Sequence, residues 1–352
     1  MRTPKPHGRP LLVRPGARFR CTGDGLCCTD LHALGPLSRV EATEMRRLIP
    51  LSVIHHAEVD APCMRPGEGG GCAQLEKDGR CGVHGRFGAE AKPVGCRRFP
   101  YGLVNTPAGG RVTTEHRCPC RTLGERPALD VADAEASLRG RAGRLEADED
   151  APQRMPMTYT KRVAFERYAA LESRLLVRLA AGERAERVLG AQAFPELVER
   201  SWPIFATELL DMDDGTRGGV AIAWFSDAIL ALTSGHKPPK RTRPWHDAFE
   251  RGAARARRAD SPEHVINDWV ADELWMMRWF AFGCAFDVAR AELATRVAAV
   301  RSVIERLTRQ GVRADQAAAE AVMMAELAAC SEVWPEAVDA IANDPSPAAP
   351  LS

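Results

Sequence analysis

The chain has 352 residues, 45% of them hydrophobic and 27% charged, with a formal net charge of +1. That composition excludes wholesale disorder, and the length exceeds one typical core and predicts two domains. No stretch of about 18 apolar residues lacks charge, which excludes a membrane-spanning helix and a membrane partner. The nearest approach, Val265 to Phe286, carries Asp268, Asp272, Glu273 and Arg278. Met1 to Gly16 is basic and proline-rich without an apolar core segment, so no secretory signal and a cytoplasmic location are expected.

The near-neutral total hides a division. Residues 1–122 hold 19 Lys and Arg against 11 Asp and Glu, whereas the remainder holds 29 against 36. Nine of the eleven cysteines lie between Cys21 and Cys120, and all seven tryptophans lie from Trp202 onward. The fold expected is α-dominated: a small irregular α+β cysteine-rich metal-binding domain over 19–122, a transition over 123–157, and an all-helical domain over 158–343.

In chain order, residues 1–20 read as a flexible lead-in with prolines at 4, 6, 10 and 15. Gly and Pro then favour turns over long helices. One helix is predicted over Ser38 to Leu48, with Ser38 and Glu41 as a capping box. Short strands are predicted near Ala73 to Leu75 and Arg98 to Val104. Asp130 caps a helix predicted over Val131 to Glu146, and Asp148 to Pro152 reads as an acidic, solvated linker. Tyr168, Leu171, Leu175 and Leu179 share one helical face. Val265 to Phe286 is apolar nearly all round and predicts a covered central helix, opened by Ser261 with Pro262 at its first position. Lys237-Pro238-Pro239-Lys240 breaks the pattern into two groups. Leu293, Val297, Val300, Ile304 and Leu307 form a stripe opposite Arg290, Arg301 and Glu305. The proline-rich tail, Asp344 to Ser352, is expected to be disordered.

The informative residues are Cys21, Cys27, Cys28, Cys63, Cys72, Cys81, Cys96, Cys118 and Cys120. A disulfide framework fits poorly with an odd cysteine total and no secretory signal. Buried free thiols do not account for nine cysteines among so much Gly and Pro. Metal ligation explains both, because thiolates fix turns that apolar packing cannot hold. Soft thiolates select zinc, cuprous copper or iron–sulfur clusters. More sulfurs are present than one tetrahedral ion needs, so either two sites exist or one cluster does with spare thiols. His84 and His116 are near enough in sequence to join a site. Cys284 and Cys330 read as core thiols.

The elements Phe19-Arg20-Cys21-Thr22-Gly23-Asp24-Gly25-Leu26-Cys27-Cys28, Cys72-Ala73-Gln74-Leu75, Asp78-Gly79-Arg80-Cys81, Pro93-Val94-Gly95-Cys96-Arg97-Arg98-Phe99-Pro100 and Cys118-Pro119 resemble, in order and spacing, the YkgJ-type cysteine-cluster family of zinc- or iron-chelating proteins. The resemblance covers about residues 19–120. It implies Cys21, Asp24, Cys27, Cys28, Cys72, Cys81, Cys96 and Cys118 as metal ligands, with zinc or an iron–sulfur cluster as cofactor. Asp24 departs from the pattern, standing where the opening motif has its second cysteine. A carboxylate ligates zinc or iron but is uncommon in iron–sulfur clusters. Cys63 and Cys120 lie outside the motif, as compensating ligands or as free thiols.

The helical half is similar, through Ile266-Asn267-Asp268-Trp269-Val270 to Trp279-Phe280, to flagellin lysine N-methylases. That similarity implies a protein-modifying enzyme with S-adenosylmethionine as cofactor and flagellin or a comparable protein as partner. No glycine-rich loop of the usual adenosylmethionine or phosphate type is present. Arg97 and Arg98 flank Cys96 and are candidate cofactor-binding cations, either neutralising a cluster or holding a carboxylate; the alternative is a solvated basic face. A non-catalytic, zinc-stabilised protein-interaction module is the competing reading. Scattered cations and few aromatics in the first third disfavour nucleic acid.

Overall fold

The computed structural model describes residues 5–6, 10–32, 35–57, 59–140 and 143–342. Fifteen α-helices and ten short strands occur among them, so the fold is α-dominated. No helix of the described residues is long and apolar enough to cross a membrane. The tail predicted to be disordered, Asp344 to Ser352, lies outside the described residues.

The largest sheet has four strands. The hairpin of β4 (Tyr101–Thr106) and β5 (Gly109–Thr114) pairs antiparallel, with Thr106 opposite Gly109. The Thr106 hydroxyl accepts from the Ala108 and Gly109 amides and closes the turn. β1 (Leu11–Val13) adds in parallel beside β5, and β6 (Glu149–Asp150) in parallel beside β4. Two expectations are thereby corrected. Residues 11–13 of the supposed lead-in and residues 149–150 of the supposed linker are both strands, because each satisfies an open backbone edge of the hairpin. Asp148 is held as well, accepting from the Leu103 amide and from Arg98, each at 2.8 Å.

The Ser38 capping box forms as predicted and opens α1 (Arg39–Leu48). Behind it, β2 (Val53–His56) and β3 (Ala61–Met64) make a separate hairpin. The strand predicted at Ala73 to Leu75 is instead a turn with single bridges, Pro66 to Cys72 and Leu75 to Cys81. The helix predicted over Val131 to Glu146 stops early: α5 is Val131–Leu138, and Gly140 then receives a turn bonded to Arg144.

In the helical half, α6 (Phe165–Ala180) buries Tyr168, Leu175 and Leu179. α7 (Trp202–Leu210) and α8 (Arg217–Ser234) precede the proline break, and α9 (His246–Ala254) follows it. The central helix α10 (Pro262–Met276) is buried almost all round, as its apolar run predicts, but ends early because Met277 turns left-handed at φ 51°. α11 (Phe286–Arg309) buries Leu293, Val297, Val300 and Leu307 of the predicted stripe and half-buries Ile304, yet Arg290 is buried too, donating to the Leu189 carbonyl at 2.9 Å. A second helix, α12 (Ala314–Ala329), is equally enclosed, its many alanines letting α8, α10 and α11 approach. α13 (Trp334–Ala342) follows it.

The helical core also takes in Leu26, Leu31, Val104 and Leu123 from the thiol-rich part. Ion pairs also join the two parts. Arg14 and Arg121 both meet Asp268 and Asp272 of α10, and His116 bonds Asp272 at 2.8 Å.

Candidate metal centre

Two loops meet to bring the first thiols together. Gly25, at φ +76°, opens a short 3-10 turn that carries Cys27 and Cys28. A Cβ at Gly25 would collide with the Gly79 carbonyl, so the glycine lets this turn press on the Asp78-Gly79 turn. The Cys72 amide donates to the Cys28 carbonyl at 2.6 Å, and Gly82 donates to Gln74 at 2.8 Å. Cys81 then caps α2 (Gly82–Phe87). Cys96 lies on α3 (Val94–Arg98), whose first amide donates to Glu41 of α1 at 2.8 Å.

These elements enclose a cavity of about 530 Å³ whose wall includes Cys27, Cys28, Cys63, Cys72, Cys81 and Cys96. Cys28 stands between Cys27 and Cys81 and keeps its proton, pushed up by hydrogen bonding to both and by burial. Its partners move the other way. Cys27 falls below the usual thiol value, and Cys81 falls to about 5, both chiefly through the bond from Cys28. Burial pushes Cys96 up to about 12, against the opposing charge of Lys92. Lys92, on the cavity wall, is the cation facing Cys27, Cys81 and Cys96.

A second group lies off that wall, within electrostatic reach of Cys27. The Cys120 thiol donates to Asp24 Oδ2 at 2.8 Å, and also contacts Cys21 and Cys118. The Thr22 amide donates to the same sulfur at 3.3 Å. Cys118 and Cys120 are buried among Ala17, Phe19, Leu103, Val112 and Leu129. Both cysteines sit at the start of α4 (Pro119–Thr122).

The predicted ligands thus divide between two places: Cys27, Cys28, Cys72, Cys81 and Cys96 at the cavity, Cys21, Asp24 and Cys118 beyond it. All eleven cysteines are free thiols. A tetrahedral zinc with bonds of about 2.3 Å brings its sulfurs to about 3.8 Å of one another. Among the described residues, the trio whose donor atoms all fall within 4.8 Å is His246, Asp247 and Glu250, exposed on α9. The thiols are strung pair by pair. What fits a thiophilic metal is the chemistry of the donors, not a finished cage.

Arg97 and Arg98 do not line the cavity. Arg97 donates to Glu90 at 2.7 Å, and Arg98 forks onto Asp148. Of the candidate histidines, His84 is exposed on α2 and His116 is held by Asp272. The cavity wall has two others, His32 and His56. Both ring nitrogens of His32 and Nδ1 of His56 are buried without a hydrogen-bond partner. Burial, with Arg117 nearby, lowers His32 to about 3 and keeps it neutral, the ligating form. Sequence pattern carries no signal for His32, since a lone histidine in a turn has no periodicity. Lys92 had one, standing just before the Pro93-x-x-Cys96 element.

No family model, no curated protein and no solved structure matches this chain.

Proposed function

We propose that the chain is a metal-binding protein whose residues 19–122 form the metal-binding unit, with Cys27, Cys28, Cys72, Cys81 and Cys96 holding zinc or an iron–sulfur cluster at the cavity wall. The observation that carries this reading is the convergence of six thiols, Lys92 and an unpartnered buried His32 on one cavity. A buried imidazole without a partner loses hydrogen-bonding free energy, and a metal would restore it. Metal bonding would also supply the stability that a Gly- and Pro-rich segment lacks, on the order of 10–16 kcal/mol for structural zinc.

The cavity favours a reactive centre over a passive staple. Structural zinc sites are closed, whereas reactive metals keep an open face. The metal would supply Lewis acidity as zinc or electron transfer as a cluster. The chain's own residues set its surroundings: Lys92 offsets thiolate charge, and Pro36, Leu37, Met64 and Val83 give the cavity apolar walls. The resemblance to flagellin lysine N-methylases extends this reading to protein modification with S-adenosylmethionine. A zinc-stabilised protein-interaction module is the alternative.

Metal analysis and visible absorption of anaerobically purified protein test the proposal. Bound iron with visible absorption supports a cluster enzyme, and methyl transfer to flagellin or another lysine-rich protein then tests the activity. A colourless protein carrying only zinc supports the module. A protein free of zinc, iron and copper overturns both.

A further inference from the structure

Resting on that metal-binding reading, we infer that the chain holds two separate metal centres, the second being a closed zinc site built from Cys21, Asp24, Cys118 and Cys120.

The four donors lie off the cavity wall that carries the other thiols, with Cys27 the cavity thiol that comes within electrostatic reach of Asp24, Cys21 and Cys118. Cys118 and Cys120 belong instead to the small core of Ala17, Phe19, Leu103 and Leu129, and are 7% and 3% exposed. Cys120 is the hub: its thiol donates to Asp24 and interacts with the neighbouring thiols of Cys21 and Cys118. No three of the four donors lie within 4.8 Å of one another, so a metal would have to draw them together. The aspartate that interrupts the cysteine motif is therefore matched in space by a cysteine from outside the motif. Each compensates for the other's departure from the pattern.

Asp24 is itself a reason to expect a cation. It is 8% exposed and makes no ion pair among the described residues. Its Oδ1 accepts from the Leu26 amide at 3.0 Å, and its Oδ2 from the Cys120 thiol. The nearby arginines bond other groups: Arg251 reaches the Asp24 carbonyl at 3.5 Å, and Arg255 the Thr22 hydroxyl. A buried carboxylate among three thiols is costly to keep charged unless a cation joins it. A divalent ion would do so, displacing the thiol protons to solvent as the three sulfurs ligate.

The donor set also chooses the metal. Three thiolates and one carboxylate complete a tetrahedral zinc shell with no open position. An iron–sulfur cluster is held mostly by thiolates, so the oxygen ligand argues against one here. The closed centre would fasten residues 21–24 to α4, while the cavity centre stays accessible.

Metal counting on the purified full chain tests this inference. Two metal equivalents per chain are expected. Cys120→Ser should remove one and leave the other, and Cys81→Ser should do the reverse. Cobalt-loaded Asp24→Cys should show stronger thiolate-to-cobalt absorption than the parent, because a fourth sulfur replaces oxygen; this variant decides the matter should Cys120→Ser fold poorly. One equivalent lost equally with either serine variant, or an Asp24→Cys spectrum identical to the parent, overturns the second centre while leaving the cavity reading intact. A parent protein with no metal overturns the metal-binding reading itself.

Discussion

Arg121 donates through Nη1 to Asp268 at 2.6 Å, tying the residue after Cys120 to a helix 147 positions further along the chain. Its other terminal nitrogen reaches Asp272, which Arg14, His116 and Thr114 also approach. Two guanidinium groups thus face two carboxylates with almost no solvent between them. Breaking such a set is costly because the survivors remain buried and uncompensated. The placement of α4, and with it Cys118 and Cys120, depends on α10.

Asp272→Asn should therefore destabilise the protein by about 3–5 kcal/mol, read from the midpoint of urea denaturation. The same group gives an acid-side signature. Arg121 and Arg14 hold Asp272 well below the usual carboxylate value of 3.8 in spite of burial, and Asp268 moves the same way. With the folded value depressed, their contribution is fully present above about pH 4 and fades as the pH falls further. Melting temperature should drop steeply in that range in the parent and less steeply in Asp272→Asn. Equal slopes would contradict this account of the ion pairs.

At the thiols, Cys27→Ser and Cys96→Ser should lower bound metal and loosen residues 21–120, seen as faster amide exchange. Cys330→Ser should do neither, since Cys330, expected in the core, is instead exposed at the end of α12 and far in the chain from the cysteine motifs. Equal metal content in all three variants would remove the ligand assignment.

How far the sequence carried these conclusions depended on how local each signal was. Ser38 with Glu41, and the apolar spacing of Tyr168, Leu171, Leu175 and Leu179, are short-range patterns; the capping box forms, and the helical face is buried except at Leu171, which is half-buried. Leu11 to Val13 and Glu149 to Asp150 carry no strand signal of their own, because a strand that completes another segment's hairpin needs none. Helix α12 shows little contrast between faces, because neighbouring helices enclose it on all sides and leave no stripe to find. The grouping of the thiols was likewise hidden. Spacing named the cysteines, but only the Gly25 turn and α4 determine that Cys27 and Cys81 face one cavity while Cys21 and Cys120 do not.

Glu326 offers a test of opposite sign. It is fully enclosed on α12, accepts from the Arg117 amide at 2.7 Å, and has Oε1 unpartnered. Burial raises it from 4.5 to about 7, although Arg278 pulls the other way. The folded state then keeps a proton that the unfolded state has released, so stability should fall between about pH 4.5 and pH 7 and level off above. Glu326→Gln, which mimics the protonated side chain, should remove that decline and be the more stable protein at pH 8 by about 1–3 kcal/mol. A parent whose stability is flat across this window would show that Glu326 ionises normally.

The pairing of Arg111 with Glu172 joins β5 to α6 and should behave as a unit. The guanidinium forks onto both carboxylate oxygens at 2.8 and 2.7 Å and lies 4.2 Å from the centre of the Trp275 ring. Tyr168 donates to the same carboxylate at 3.1 Å. Burial already raises Glu172 above the usual range with Arg111 in place. Arg111→Met would strand that carboxylate and should cost about 3–5 kcal/mol at pH 7, from lost charge and lost stacking together. Adding Glu172→Gln removes the stranded charge while keeping an acceptor for Tyr168, so the double variant should recover at least half of the loss. Chemical denaturation of both single variants and the double variant measures the coupling directly. Additive losses would mean that each residue acts alone, and that the hairpin is held to α6 by apolar contact.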